Sequence, residues 1–184
     1  FIKSQISVSD EISAEYTRLS SEGKTPLFFT QDGEIIGIIA VADTVKPDSK
    51  EAVADFAKMN VETVMITGDN ENTAKAIAAE VGIREIRAGV LPEGKSDIIK
   101  ELQQKNKTAM VGDGINDAPA LTQADVGIAI GAGTDIAISS ADAVLTGGSL
   151  KDAVNAVKIG RATLTNIKEN LFWAFFYNAL GIPL

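Results

Sequence analysis

The sequence predicts an α/β fold: a parallel β-sheet with helices on both faces, preceded by a small β-hairpin. Three observations predict it. After Pro47, short β-type apolar runs alternate with amphipathic helical segments about four times. The connections are short, which favours right-handed crossovers between parallel neighbours. The run Val61–Ile66 is nearly all apolar or β-branched, as in a strand covered on both sides.

Taken in order, residues 1–22 are polar, with Ile2, Ile6, Val8, Ile12 and Leu19 as anchors. Ser9-Asp10-Glu11 opens a helix to about Ser20, because Ser and Asp side chains cap free amides. Thr25–Thr30 and Glu34–Val41 are β runs joined by Gln31-Asp32-Gly33, and Asp-Gly between such runs signals a hairpin. Ala42–Pro47 is a connector, since a residue before Pro disfavours helix. Asp48–Met59 reads as a helix, with Asp48 and Glu51 spaced as a capping box and Val53, Phe56 and Ala57 on one face.

Val61–Ile66 leads into Thr67-Gly68-Asp69-Asn70, then a helix over Glu71–Val81 with Gly82 as its stop. Ile83–Ala88 is a weaker strand. Gly94-Lys95-Ser96 begins a helix to about Lys105. The strand Thr108–Val111 feeds Gly112-Asp113-Gly114-Ile115-Asn116-Asp117, and a short helix runs from about Asp117 to Gln123. Val126–Ile130 is a strand, followed by Gly131-Ala132-Gly133-Thr134, a small helix near Asp135–Ser140 and the strand Ala143–Leu145. Gly147-Gly148 is a break, and one long helix starts at Leu150.

Composition narrows the chemistry. The 184 residues suffice for one domain with a proper core. A net charge of −8 argues against a nucleic-acid partner. The sequence holds no Cys and no His, which removes disulfides, thiol nucleophiles and imidazole acid–base catalysis. Leu171–Leu184 carries no charge and five aromatics, and basic residues Lys151, Lys158, Arg161 and Lys168 precede it. That pattern matches a helix entering a membrane from the cytoplasmic side, although about 20 apolar residues are needed to span one; the alternative is a buried terminal helix. The start at Phe1 and the stop inside an apolar stretch lead us to expect a piece of a longer protein.

Four segments end strands or open helices on what should be one sheet edge. Asp113 and Asp117 supply hard oxygen donors suited to Mg²⁺. Thr67 and the Gly68 turn offer a hydroxyl and amides for phosphate oxygens. Lys95 can neutralise a phosphoryl group, although a lone Lys is more often a surface charge. Gly131–Thr134 is a further Gly-rich helix entrance. Together they describe phosphoryl transfer, which works by positioning and charge neutralisation. A nucleophile at the end of a first strand is missing; Asp43 is the candidate but lacks a tight Gly turn.

Thr67-Gly68-Asp69, Lys95 and the string from Gly112 to Leu121 resemble the later motifs of the haloacid-dehalogenase superfamily, in the long form of P-type cation-transporting ATPases. The resemblance implies a three-layer haloacid-dehalogenase-like fold. It also implies ATP and Mg²⁺ as cofactors and an aspartyl-phosphate intermediate on an Asp-Lys-Thr-Gly-Thr motif absent from this sequence. Residues 1–42 would be the tail of the nucleotide-binding domain and 43–150 the later phosphorylation domain, with Asp43 and Lys46 at the hinge. Residues 151–170 would form a juxtamembrane helix and 171–184 the start of a transmembrane helix.

By the same resemblance, Thr67 contacts the phosphoryl group, Gly68 and Asp69 complete its loop, and Lys95 pairs with the phosphate. Asp113 ligates Mg²⁺ with the help of Asn116 and Asp117. Tyr177 and Asn178 are similar to the copper(I) branch, where such a pair binds the transported ion. The expected whole is a multi-pass heavy-metal export pump of the cell membrane, this portion being cytoplasmic up to its apolar end. Its partners would be Cu⁺, the membrane and the pump's other domains. The alternatives are a soluble phosphohydrolase of the same fold and a non-catalytic regulatory domain.

Overall fold

The computed structural model describes residues 8–42, 44–113, 115–131 and 135–181. Helix α1, Asp10–Ser21, is capped by Ser9, whose Oγ accepts the Ile12 amide. The hairpin β1, Thr25–Gln31, and β2, Glu34–Val41, follows. Asp32 and Gly33 alone form its loop, both at positive φ, as a twisted two-residue turn requires. Tyr16 of α1 stacks on Phe28 of β1 with ring centroids 5.2 Å apart, so the helix covers one side of the hairpin.

The remainder alternates strand and helix: α2 Ser49–Lys58, β3 Val64–Ile66, α3 Glu71–Val81, β4 Glu85–Arg87, α4 Pro92–Gln103 and β5 Ala109–Gly112. A 3₁₀ turn at Ile115–Asp117 leads to α5 Ala118–Gln123, β6 Val126–Ile130, α6 Asp135–Ser139, β7 Ala143–Leu145 and α7 Leu150–Gly181. Local sequence explains the helix ends. Asn70 caps α3 by accepting the Asn72 and Thr73 amides, and Gly82 stops it at φ 86°, a backbone shape that suits Gly. Pro92 opens α4 earlier than Gly94, because its ring fixes a helical φ and its missing N–H costs nothing in a first turn. Asp48 makes no side-chain cap on α2; its carboxylate accepts the Ser149 hydroxyl instead.

All pairings after the hairpin are parallel, and they form two separate ladders among the described residues. One is β3–β4 and the other β5–β6–β7. The expected single sheet is therefore split between β3 and β5. The cavity described below lies at this division, since Ile66 at the end of β3 and Val111–Gly112 at the end of β5 both line it.

Two apolar clusters hold the layers. Ile99 of α4 and Met110 of β5 pack with Ala120 and Leu121 of α5. Ala52 and Phe56 of α2 pack with Ala153 and Val154 of α7 on the other side. Burying a side chain such as Ile99 or Leu121 contributes roughly 1.5–3 kcal/mol before the cost of ordering it. The α2–α7 seam is reinforced by Lys151 with Glu51 at 2.5 Å and by Arg161, which donates to the Met59 carbonyl at 2.8 Å. Beyond that seam α7 continues with exposed Ile159, Leu164, Ile167 and Leu171. No helix among the described residues is long and apolar enough to cross a membrane.

Candidate functional site

A cavity of about 540 Å³ opens at the carboxyl ends of β3, β5 and β6, the edge where open parallel sheets bind ligands. Each strand delivers residues by ending there. Ile66 closes β3, Val111-Gly112-Asp113 closes β5, and Ile130-Gly131 closes β6. The starts of helices form the rest of the wall: Ser49 of α2, Lys95 in the first turn of α4 and Leu150 of α7. Lys46 reaches the same wall from the connector and donates to the Gly148 carbonyl.

Charge is concentrated on one side. Lys95 Nζ donates to Asp117 Oδ1 at 2.6 Å, with side-chain exposures of 16% and 11%. Water is largely excluded from both groups, so each depends on the other for compensation. Asp117 sits against the backbone of Gly112, where a Cβ would lie 2.7 Å from its Oδ2. Glycine at 112 is therefore what allows the second carboxylate to lie beside the strand end. Asp113 lines the same cavity and is exposed.

The Thr67 loop is turned in on itself. Thr67 Oγ1 donates to Asp69 Oδ2 at 2.9 Å and accepts the Asp69 amide at 3.1 Å. The Gly89 and Val90 amides close the loop onto the Asp69 and Thr67 carbonyls. Thus Lys46, Lys95, Asp113 and Asp117 face one cavity, while Thr67, Gly68, Asp69 and the exposed Asn116 are not among its lining residues. Ile66 places the Thr67 loop one residue from the wall. Asp43, Gly114 and Ala132–Thr134 lie outside the described residues. Tyr177 and Asn178 stand on exposed turns of α7, about 40 Å along the helix from Leu150.

Sequence reasoning missed Ser49 and Gly148. Their signal was positional: each stands beside a helix start, next to Pro47-Asp48 and Gly147 respectively.

The donor set suits Mg²⁺. No group of three or more acidic, His or Cys side chains could hold a metal among the described residues. Two carboxylates in an open cavity are nonetheless the kind of site Mg²⁺ uses, because it keeps several waters and takes further oxygens from a phosphorylated ligand. Asp113 and Asp117 are the carboxylates on this wall that could hold it, and Lys95 is bonded to Asp117.

Residues 1–125 match the family model of haloacid dehalogenase-like hydrolases. The chain is 53% identical over 174 residues to a copper-exporting P-type ATPase of Staphylococcus haemolyticus, covering 94% of this chain and 22% of that protein. It is 52% identical over 172 residues to the copper-exporting P-type ATPase of Bacillus subtilis, covering 93% and 21%. Among solved structures, a zinc-transporting PIB-type ATPase in its E2.Pi state superposes with a TM-score of 0.79 at 40% identity, over 94% of this chain and 28% of that one. The chain thus spans about a fifth of the length of the curated relatives it matches. An alternating parallel fold, a Lys–Asp pair at the strand ends and these matches agree, and the chain belongs to the haloacid dehalogenase-like hydrolase family.

Proposed function

We propose that this chain is the later part of the phosphorylation domain of an ATP-driven pump that exports Cu⁺. The observation that carries the proposal is the convergence of Lys46, Lys95, Asp113 and Asp117 on one cavity at the strand ends. An ammonium beside two carboxylates can bind a phosphoryl group and its metal together. Mg²⁺, when bound, supplies positive charge to the phosphoryl oxygens. Asp113 and Asp117 would hold the metal, and Lys95, on leaving Asp117, would neutralise the phosphoryl group beside them. Thr67 donates to a phosphoryl oxygen after leaving Asp69.

The phospho-acceptor belongs to a strand elsewhere in the polypeptide. That strand pairs between β3 and β5, where the two ladders leave a division. Its Asp carboxylate attacks the γ-phosphorus of ATP and ADP departs. The identity of 50% or more to copper-exporting pumps, against 40% to the zinc-transporting structure, supports Cu⁺ as the transported ion. Tyr177 and Asn178 then belong to the ion path in the membrane, reached through α7, and the cavity faces the cytoplasm.

The test is phosphoenzyme formation by the full-length protein with labelled ATP, Mg²⁺ and Cu⁺. Acid-stable, Cu⁺-dependent labelling whose turnover disappears in Asp113→Ala is the expected result. Label that forms and turns over in Asp113→Ala as in the wild type rejects the site. Stimulation by Zn²⁺ but not Cu⁺ rejects the assigned ion.

A further inference from the structure

The amino-terminal hairpin and the Thr67 loop are joined by a contact that the phosphoryl-transfer reading does not use. Thr25, the first residue of β1, donates from Oγ1 to Asp69 Oδ1 at 2.9 Å, across 44 residues of sequence. Asp69 thereby receives one hydroxyl on each oxygen: Thr25 on Oδ1 and Thr67 on Oδ2. The surroundings keep this contact in place. Thr73 Oγ1, almost fully buried, donates to the Lys24 carbonyl at 2.7 Å. A side chain at Gly23 would already touch Ala76 and Ile77, at 3.7 and 3.9 Å. Residues 23–25 are therefore seated along the first turns of α3, the helix that the Thr67 loop enters.

We infer that Thr25 is a positioning residue for the phosphoryl-binding loop: it holds Asp69 so that Thr67 can release it. The inference rests on the phosphoryl-transfer reading above. The Thr67 hydroxyl has one proton, and that proton is committed to Asp69. To donate to a phosphoryl oxygen, Thr67 must withdraw it, leaving a part-buried carboxylate oxygen short of a donor. A carboxylate that loses its last side-chain donor costs more than one that keeps another. Thr25 supplies the donor that remains. With Thr25 removed, Asp69 has Thr67 as its remaining side-chain hydroxyl and retains it, and the loop becomes slow to engage substrate. The same bond makes the position of the hairpin felt at the loop.

The experiment uses the full-length protein and four variants: Thr25→Val, Thr25→Ser, Asp69→Ala and the Thr25→Val/Asp69→Ala double. Two quantities are read, hydrogen exchange over residues 67–70 and the rate constant of phosphoenzyme formation at saturating ATP. Because Thr67 then stays on Asp69, Thr25→Val should slow exchange in that loop and slow phosphoenzyme formation about tenfold, the loss expected for one hydrogen bond to a charged group. The KM for ATP should not move. Thr25→Ser should restore both readouts, which a purely steric role would not produce. In the Asp69→Ala background, which leaves Thr25 no acceptor at position 69, Thr25→Val should cause no further change. Wild-type exchange and rate in Thr25→Val overturn the inference, and so does an equal additional loss in the double variant. A Thr25→Val protein that fails to fold shifts the decision to Thr25→Ser, whose failure to match wild type overturns it. Wild-type protein that forms no phosphoenzyme rejects the pump reading, while the exchange data still decide whether Thr25 holds Asp69.

Discussion

Two Lys–Asp pairs sit at opposite ends of the same two strands, each at 2.6 Å, and they do different things. Lys95–Asp117 lies at the carboxyl ends of β5 and β6, nearly covered, on the wall of the cavity. Lys107–Asp125 lies at their amino ends, where Lys107 is 92% exposed. Asp125 also accepts the Thr108 amide at 3.0 Å and the Gln103 side chain at 3.2 Å. Lys107, the Thr108 amide and Gln103 hold its carboxyl down to about 2. The chain itself satisfies this pair, which stitches the loops before β5 and β6 together. At the other end the same chemistry faces open space. The two pairs are alike in distance and differ in what surrounds them, a cavity at one end and the chain's own donors at the other.

Four outcomes would break or sharpen that contrast. The largest concerns rate. Lys95→Ala or Asp117→Ala in the full-length protein should cut phosphoenzyme turnover about 10²–10³-fold, the usual cost of losing one preorganised charge contact, whereas Lys107→Ala should leave it unchanged. Equal losses at both ends would erase the distinction. Next comes Gly112→Ala, which drives a methyl into the Asp117 carboxylate. It should destabilise the chain by roughly 1–3 kcal/mol in denaturant titration and reduce turnover with it. A neutral result would mean that Asp117 moves aside without penalty.

Smaller still is Lys107→Ala. An exposed ammonium contributes little, so its Tm shift should be under about a third of that from Gly112→Ala. The last outcome is a pH dependence. The folded-state pKa of Asp125 lies below its ordinary value of 3.8, so its stabilisation is present above that value. It is lost as pH falls from about 4 through about 2. Asp125→Asn should flatten the acid limb of a Tm-versus-pH curve in that window and lower Tm near neutrality. A limb as steep as wild type would assign the acid sensitivity to other carboxylates.

Much of the fold was legible because local chemistry marks it. Ser9, Asn70 and Gly82 punctuate helices, and Asp32-Gly33 makes the hairpin turn. The pocket side of the candidate site was legible for a related reason: Asp113 and Asp117 follow a strand and Lys95 opens a helix, so topology puts them on one edge. What the sequence hid depends on distant partners. Nothing near Thr25 announces Asp69, and nothing near Asp48 announces Ser149, 101 residues away. That long-range bond kept Asp48 from capping α2. The division between β3 and β5 was equally invisible, since each run looks like a complete buried strand when read alone.

Helix α7 runs unbroken for 32 residues from the cavity rim, with no proline to interrupt it. A rod of that kind is about 48 Å long, so tilting its base by about 5° carries its tip through about 4 Å. Leu150 touches the cavity at one extremity and Tyr177 stands near the other. By geometry alone, a displacement at the rim end of this rod is enlarged toward its far end.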